Sequence, residues 1–253
     1  MKIEISGLKP HEDAYGNNIF DTYHNLGGGY DIIEREDGHF TLNGDSDAYI
    51  EPFDDWSSIQ KKAANLVRGK TLDIGCGGGK HAIYFQGQGI EIWGMDNSPK
   101  GLDVCRERGL INSILCDIND LSSKVISELN TIYMWGNNAG LLQNETLARR
   151  FFNICDDICK KDAKILLETL NPYGKAFNLK DDQKYIEDNI SNGRMGGQIR
   201  VRVRYRHQAT PWRDYLFFSK QELTHILKST NWKITNFFDD PKIDQYIAVV
   251  ERK

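Results

Sequence analysis

No apolar run in the 253-residue chain approaches the ~20 residues that a bilayer crossing needs. Its start, Met1-Lys2-Ile3-Glu4-Ile5, lacks the charged-apolar-small order of a secretion signal. Basic excess is missing too: 32 Lys and Arg against 36 Asp and Glu leave a formal charge of −4, which speaks against a sequence-indifferent nucleic-acid binder. Cysteine is sparse and odd in number, five in all, so a reduced cytoplasmic setting is expected. Cys155 and Cys159 stand four apart, at a spacing that shares one helix face, yet no second Cys/His pair lies nearby to complete a zinc site, and no metal is expected. What is present is 40% hydrophobic residues, enough for one sizeable core domain with additions.

Residues 70–79, Lys70-Thr71-Leu72-Asp73-Ile74-Gly75-Cys76-Gly77-Gly78-Gly79, run from an apolar-edged strand into a glycine cluster and on into the helical pattern His81-Ala82-Ile83-Tyr84-Phe85. Open α/β sheets place a nucleotide at the carboxyl end of such a strand, where glycine lets the backbone approach a ligand closely. Lys80 stands where a dinucleotide fingerprint has its third glycine, which disfavours a dinucleotide. Asp73 sharpens this, because a carboxylate two residues before the first glycine repels a pyrophosphate but suits a ligand with an ammonium, a sulfonium and no phosphate. That ligand is S-adenosylmethionine, with S-adenosyl-L-homocysteine as its demethylated product. Asp96, with Asn97 beside it, ends the next strand pattern 23 residues after Asp73, where a carboxylate accepts both ribose hydroxyls; a plain helix cap is its bland alternative. Cys76, inside the loop, reads as a small packing group rather than a nucleophile.

Along the chain, His11 to Leu26 has helical spacing, Gly27-Gly28-Gly29 stops it, and Asp37-Gly38 joins two short strand patterns, so residues 1–56 read as an N-terminal lid or packing extension. From 57 onward strands and helices alternate: helix 57–69, strand 70–75, helix 79–88, strand 90–95, helix 98–109, strand 112–116, helix 120–129, strand 131–135, helix 143–160, strand 163–169. After an insertion at 175–218 come a helix from Ser219 and strands at 232–238 and 246–251. This predicts an α/β, Rossmann-like, seven-stranded and mostly parallel sheet with helices on both faces and an antiparallel last strand. The β-rich insertion follows the fifth strand, inside a domain spanning 57–253. Within it, residues 198–206 alternate strictly, putting Ile199, Val201, Val203 and Tyr205 on one face and Arg200, Arg202, Arg204 and Arg206 on the other.

The glycine stretch resembles the first motif of class I methyltransferases, a likeness that covers about 57–172 and 219–253. Gly136-Asn137-Asn138-x-Gly140-Leu141, Gly193-Arg194-Met195-x-Gly197-Gln198 and the arginine strand are similar to those of one microbial group of these enzymes. The resemblance implies that Asp117 receives the adenine amino group and Ile118 touches the ring, though Asp117 also reads as a helix cap. It implies that Trp135 or Gly136 offers backbone carbonyls to the cofactor's ammonium, and that Asn137 or Asn138, otherwise turn formers, reach the substrate. Methyl transfer is then an in-line displacement onto a small molecule, in a pocket formed by the lid and the insertion. Should the acceptor need to lose a proton, Tyr15 and Tyr23 on the lid, Asn137 by orientation, and His207 are the candidates. Two other classes compete: an RNA methyltransferase using the arginine strand, and a module that binds the cofactor without turnover. The arginines read more readily as a solvated face or as a dimer contact paired with acids, which the acidic net charge favours. A monomer or homodimer without membrane contact is expected.

Overall fold

The computed structural model describes residues 1–44 and 46–253. The first elements are β1 (Lys2–Glu4), α1 (Ala14–Tyr23), β2 (Asp31–Arg35), β3 (Phe40–Asn43) and α2 (Ser58–Ala64). The alternating core follows with β4 (Thr71–Ile74), α3 (Lys80–Gly87), β5 (Ile92–Asp96), α4 (Pro99–Glu107), β6 (Ser113–Leu115), β7 (Leu129–Met134), α5 (Glu145–Ile158) and β8 (Cys159–Leu170). Then come α6 (Lys180–Ser191), β9 (Gln198–Tyr205), β10 (Gln208–Ala209), β11 (Arg213–Leu216), α7 (Lys220–Leu227), β12 (Trp232–Asp240) and β13 (Gln245–Arg252). The helix starts follow capping chemistry: Ser98 accepts from the Gly101 amide ahead of Pro99, Asn144 from Leu147, and Ser219 forms a reciprocal box with Glu222. Among the described residues no helix is long and apolar enough to cross a membrane.

The chain divides into two compact units, Met1–Trp56 with Arg68–Ile126 and Arg200–Arg213, and Ser57–Val67 with Ser127–Ile199 and Asp214–Lys253. Each unit holds four strands of the α/β pattern, eight in all where seven were expected. In the first unit the order is β1-β6-β5-β4, all parallel, with Lys2 opposite Ser113 and Thr71 opposite Ile92. The extra strand is β1, three residues on the edge with Lys2 and Glu4 exposed, too short and too charged to carry a periodic signal. In the second unit the order is β7-β8-β13-β12, with β13 alone running against its neighbours on both sides. Its core includes Phe152, Trp232 and Ile165, and the Trp232 indole donates to the Phe152 carbonyl at 3.0 Å.

Two expectations fail locally. Residues 120–129 hold no α-helix; Asp117 caps a 3-10 turn at Ile118–Asp120 and turns lead on to β7. Ser122 and Ser123 favour local turns, Val125 and Ile126 are β-branched, and Glu128 takes a left-handed φ of 62°, so the segment has little to sustain a helix. Cys159 lies in β8 and not on the helix of Cys155, because α5 passes into the strand at once; both thiols are buried.

The two added segments meet in a second sheet. Its order β10-β9-β2-β3 pairs the N-terminal hairpin with the arginine strand, Ile32 lying opposite Arg204 and Arg35 opposite Val201. The arginines are taken up by acids of the N-terminal segment. Arg202 and Arg204 both donate to Glu34, Arg206 pairs with Asp21 at 3.1 Å, and Arg200 lies 3.9 Å from Glu36. Hydrogen bonds from Arg202 and Arg204 hold the Glu34 carboxyl down at about 2.

Candidate functional site

In the first unit β4 delivers its chain into the loop 75–79, which turns through positive φ at Gly75, Gly77 and Gly79. Gly75 and Cys76 donate their amides to the Met95 carbonyl, and Gly77 donates to Asp96 Oδ2 at 2.9 Å. Asp96 Oδ1 accepts from the Ser98 amide at 2.9 Å, so this one carboxylate joins the end of β5 to the glycine loop. Burial pushes the Asp96 carboxyl up to about 6 against the pull of those amides, and the Asp13 carboxylate adds to the rise. Asp73 is buried in β4. The Cys76 Sγ lies 3.9 Å from Cys105 Sγ, and that contact together with burial raises the Cys76 thiol well above its ordinary range, which fits a packed neutral group.

The N-terminal segment lies directly on this loop. A side chain at Gly78 would meet Ile50 Cγ2 at 2.8 Å and the Tyr49 carbonyl at 2.9 Å, and Ile19 of α1 is the next neighbour. Asp13, fully buried, caps α1 through the Gly16 amide at 3.1 Å and also accepts the Lys100 amide in the first turn of α4 at 2.9 Å. The two helix starts therefore share one carboxylate. Lys80 pairs with Glu51, and Arg108 donates to the carbonyls of Gly78 and Ile50, at 2.5 and 2.9 Å. Tyr15 packs edge-on to Tyr49 at 4.8 Å between ring centroids. Burial, helped by Tyr49, Asp31 and Asp96, pushes the Tyr15 phenol well up. It stays protonated at neutral pH, so Tyr15 is equipped to donate a hydrogen bond and not to take a proton. Tyr23 lies eight residues further along α1, about 12 Å away by helical rise, in edge contact with His24. His207 is exposed at the tip of the two-residue turn between β9 and β10.

At the end of β6, Asp117 Oδ1 accepts the Asn119 amide and side chain, both at 3.0 Å, and Oδ2 accepts Asn97 at 3.2 Å and Arg213. Burial acts to raise the Asp117 carboxyl, but Arg213 and these hydrogen bonds prevail and leave it below the ordinary range. Its own amide donates to Ser6 Oγ at 2.9 Å, and Ile118 is buried next to it.

In the second unit β7 ends at Met134 and is followed by Trp135, whose side chain is buried, and by the exposed Gly136 at φ 68°. The Gly136 amide donates to Glu168 Oε2 at 2.7 Å, and Gln60 donates to the same oxygen at 2.8 Å. Asn137, also left-handed, is held by Gln245 at its side chain and by the Tyr215 hydroxyl at its carbonyl. Sequence reasoning passed over Glu168, although an acid inside the apolar run Ile165-Leu166-Leu167 marks a buried polar role. It also passed over Asp13, whose position three before Gly16 is a capping signal, and Arg213, which carries no signal at all.

Residues 71–161 match the family model described as a methyltransferase domain. Ubiquinone biosynthesis O-methyltransferases from Xanthomonas oryzae and Salmonella paratyphi A are 25% and 23% identical over 120 and 124 residues, which is 46% and 47% of this chain. The chain spans about half the length of these curated relatives, 48% and 50%. Among solved structures, a SAM-dependent methyltransferase from Bacteroides fragilis in complex with S-adenosyl-L-homocysteine superposes with a TM-score of 0.83 over 98% of both chains at 21% identity. A SAM-dependent methyltransferase from Methanosarcina mazei gives 0.57 over 78% of this chain and 98% of that one, at 16% identity. These solved structures share the α/β, Rossmann-like fold of this chain, and the stretch that matches the methyltransferase domain model, 71–161, contains the glycine loop, Asp96 and Asp117.

Proposed function

We propose that the protein is an S-adenosylmethionine-dependent methyltransferase acting on a small molecule. The observation that carries this reading is the Asp96 carboxylate, anchored by Gly77 and Ser98 on a loop that glycine alone can form. Bound there, S-adenosylmethionine supplies an electrophilic methyl on a sulfonium. The chain's residues have separate tasks. Asp96 accepts the ribose hydroxyls, Asp73 adds negative charge beneath a cationic ligand, and Asp117 with Ile118 lies at the purine end. Within the second unit, Glu168 holds the Gly136 amide and so sets the course of the Trp135-Gly136 backbone. A donor and acceptor held in line and shielded from water need little further help, and positioning supplies much of the acceleration.

The small-molecule reading is supported by the named activity of the ubiquinone biosynthesis relatives, which methylate an oxygen. The arginine strand favours it over RNA, since the guanidinium groups have carboxylate partners within the chain. The test is calorimetry with S-adenosyl-L-homocysteine, followed by labelled methyl donor in a metabolite extract. Tight binding with no labelled product and no slow donor hydrolysis would indicate a cofactor-binding module instead. Micromolar binding to RNA at physiological salt, lost when the four arginines become Gln, would indicate an RNA enzyme.

A further inference from the structure

Among the described residues, the edge strands are guarded with one exception. β1 has three residues and exposes Lys2 and Glu4. β12 breaks its register between Ile234 and Asn236 and exposes Lys233 and Asp239. β10 has two residues. Charge, irregularity and shortness are the means by which sheets keep foreign strands away. β3 ends the second sheet, and its four residues, Phe40-Thr41-Leu42-Asn43, carry no charge, no proline and no register shift against β2. The hairpin fixes which backbone groups lie open. Arg35 donates its amide to the His39 carbonyl at 2.7 Å, and bonded pairs alternate along an antiparallel ladder. Thr41 and Asn43 therefore bond inward, and the amides and carbonyls of Phe40 and Leu42 point to the open side. The Phe40 and Leu42 side chains are exposed as well, 69% and 63%, with Ile32 beside them opposite Leu42 at 37%. We propose that β3 is a dimer interface, pairing antiparallel with β3 of a second copy about a two-fold axis through Thr41. Such an axis, normal to the sheet, keeps each face on its own side, so residues of one face must stand opposite each other. Centred on Thr41, it sets Phe40 against Leu42 of the second copy, and Leu42 against that copy's Phe40. Those residues hold the open amides and carbonyls, so about four ladder hydrogen bonds form while the apolar side chains meet on one face. The strand is thus complementary to itself in backbone and side chain, and being neutral it meets its copy without repulsion. The area joined is on the order of 1,000 Å² in total, the lower end for a specific interface, so the dimer is reversible with micromolar affinity. From β3 the chain runs on to Tyr49 and Ile50, the residues packed on Gly77 and Gly78, so dimerisation braces the segment that covers the glycine loop.

Sedimentation velocity of the full chain, at concentrations from about 1 to about 100 μM, should show a monomer–dimer equilibrium. A Phe40→Lys, Leu42→Lys double variant, altered only at exposed positions, should stay monomeric throughout, with the circular dichroism and urea midpoint of the parent. Thr41→Cys reads the register itself. At the axis two such residues form a non-hydrogen-bonded pair with Cα atoms about 4.5 Å apart, within the span of a disulfide, so this variant should cross-link to itself on mild oxidation with diamide. Thr235→Cys on β12 should not, and the natural cysteines, all buried, leave the readout clear. A parent that remains monomeric at the highest concentration overturns the proposal and leaves the edge to a strand of another protein. A dimer that survives the double lysine substitution, or that Thr41→Cys fails to cross-link, overturns it equally, because the interface then lies elsewhere.

Discussion

Asp96 carries opposing demands in a single side chain. Its folded proton affinity is raised from the ordinary 3.8 to about 6, so between those values the folded protein holds a proton that the unfolded chain releases. The sign follows directly: stability falls as pH rises from about 4 to 6, because the charge must then be borne in a desolvated place. The ionised form is also the one that accepts two ribose hydroxyls. Affinity for S-adenosyl-L-homocysteine should therefore rise by up to about tenfold per pH unit below 6 and level off above it. Calorimetry at pH 5, 6 and 7.5 checks this, and a flat profile would detach Asp96 from the ligand. Asp96→Ala should weaken binding by about 1.5–3 kcal/mol, tenfold or more, and should flatten the loss of stability between pH 4 and 6. Gly78 makes a steric counterpart. A methyl there meets Ile50 and the Tyr49 carbonyl inside 3 Å, so Gly78→Ala should cost about 1–3 kcal/mol in urea unfolding and loosen the N-terminal segment.

Among the elements, α1 and α4 are bound together at their starts by Asp13. Replacing it with alanine leaves two buried amides unpaired, those of Gly16 and Lys100, and removes a cap. The expected loss is about 2–3 kcal/mol, larger than for an isolated N-cap, and measurable by urea unfolding. Hydrogen exchange should then rise at the first turn of both helices; protection that drops in α1 alone would show that the Lys100 contact is incidental. In the second unit Glu168 has the same architecture, one oxygen accepting both Gly136 and Gln60. Glu168→Leu should destabilise by about 1–3 kcal/mol and free the Gly136 turn, whereas Gln60→Leu, removing one donor, should cost less.

For the whole molecule, the N-terminal residues are the point on which sequence and structure part. A lid separable from the cofactor site would make deletion of residues 1–29 abolish turnover while leaving affinity within a few fold. The structure puts Ala14, Ile19 and Asp13 in the buried core of the first unit, lays α1 on the glycine loop and extends the sheet by β1. Truncation should accordingly lower S-adenosyl-L-homocysteine affinity by about tenfold or more along with stability, since the supports of Gly78 and of the α4 start go together. A truncated protein that binds normally by calorimetry would restore the separable lid. The acid-paired arginine face bears on the same scale: with Glu34 and Asp21 as partners it should show no steep salt dependence toward RNA, and a log–log slope near −3 would contradict the pairing.

What the chain alone determined is everything governed by local chemistry. Glycines at 75, 77 and 79 take the left-handed φ that other residues avoid, apolar runs with acids at their ends make strands with Asp96 at a tip, and Ser219 with Glu222 caps a helix wherever the chain folds. Even the alternation at 198–205 was legible, because a strand's period of two is written in neighbouring residues. Tertiary structure decided what depends on partners distant in sequence. Three residues at Lys2–Glu4, two of them exposed, become a strand only because β6 offers an edge; Glu34 and the arginines meet across about 170 positions; and Asp117 gains Arg213 from 96 positions away. Hydrogen bonds and ion pairs act over a few ångströms and are indifferent to separation along the chain. A single charged residue therefore announces its charge in the sequence, but its role only once folding has chosen its neighbour.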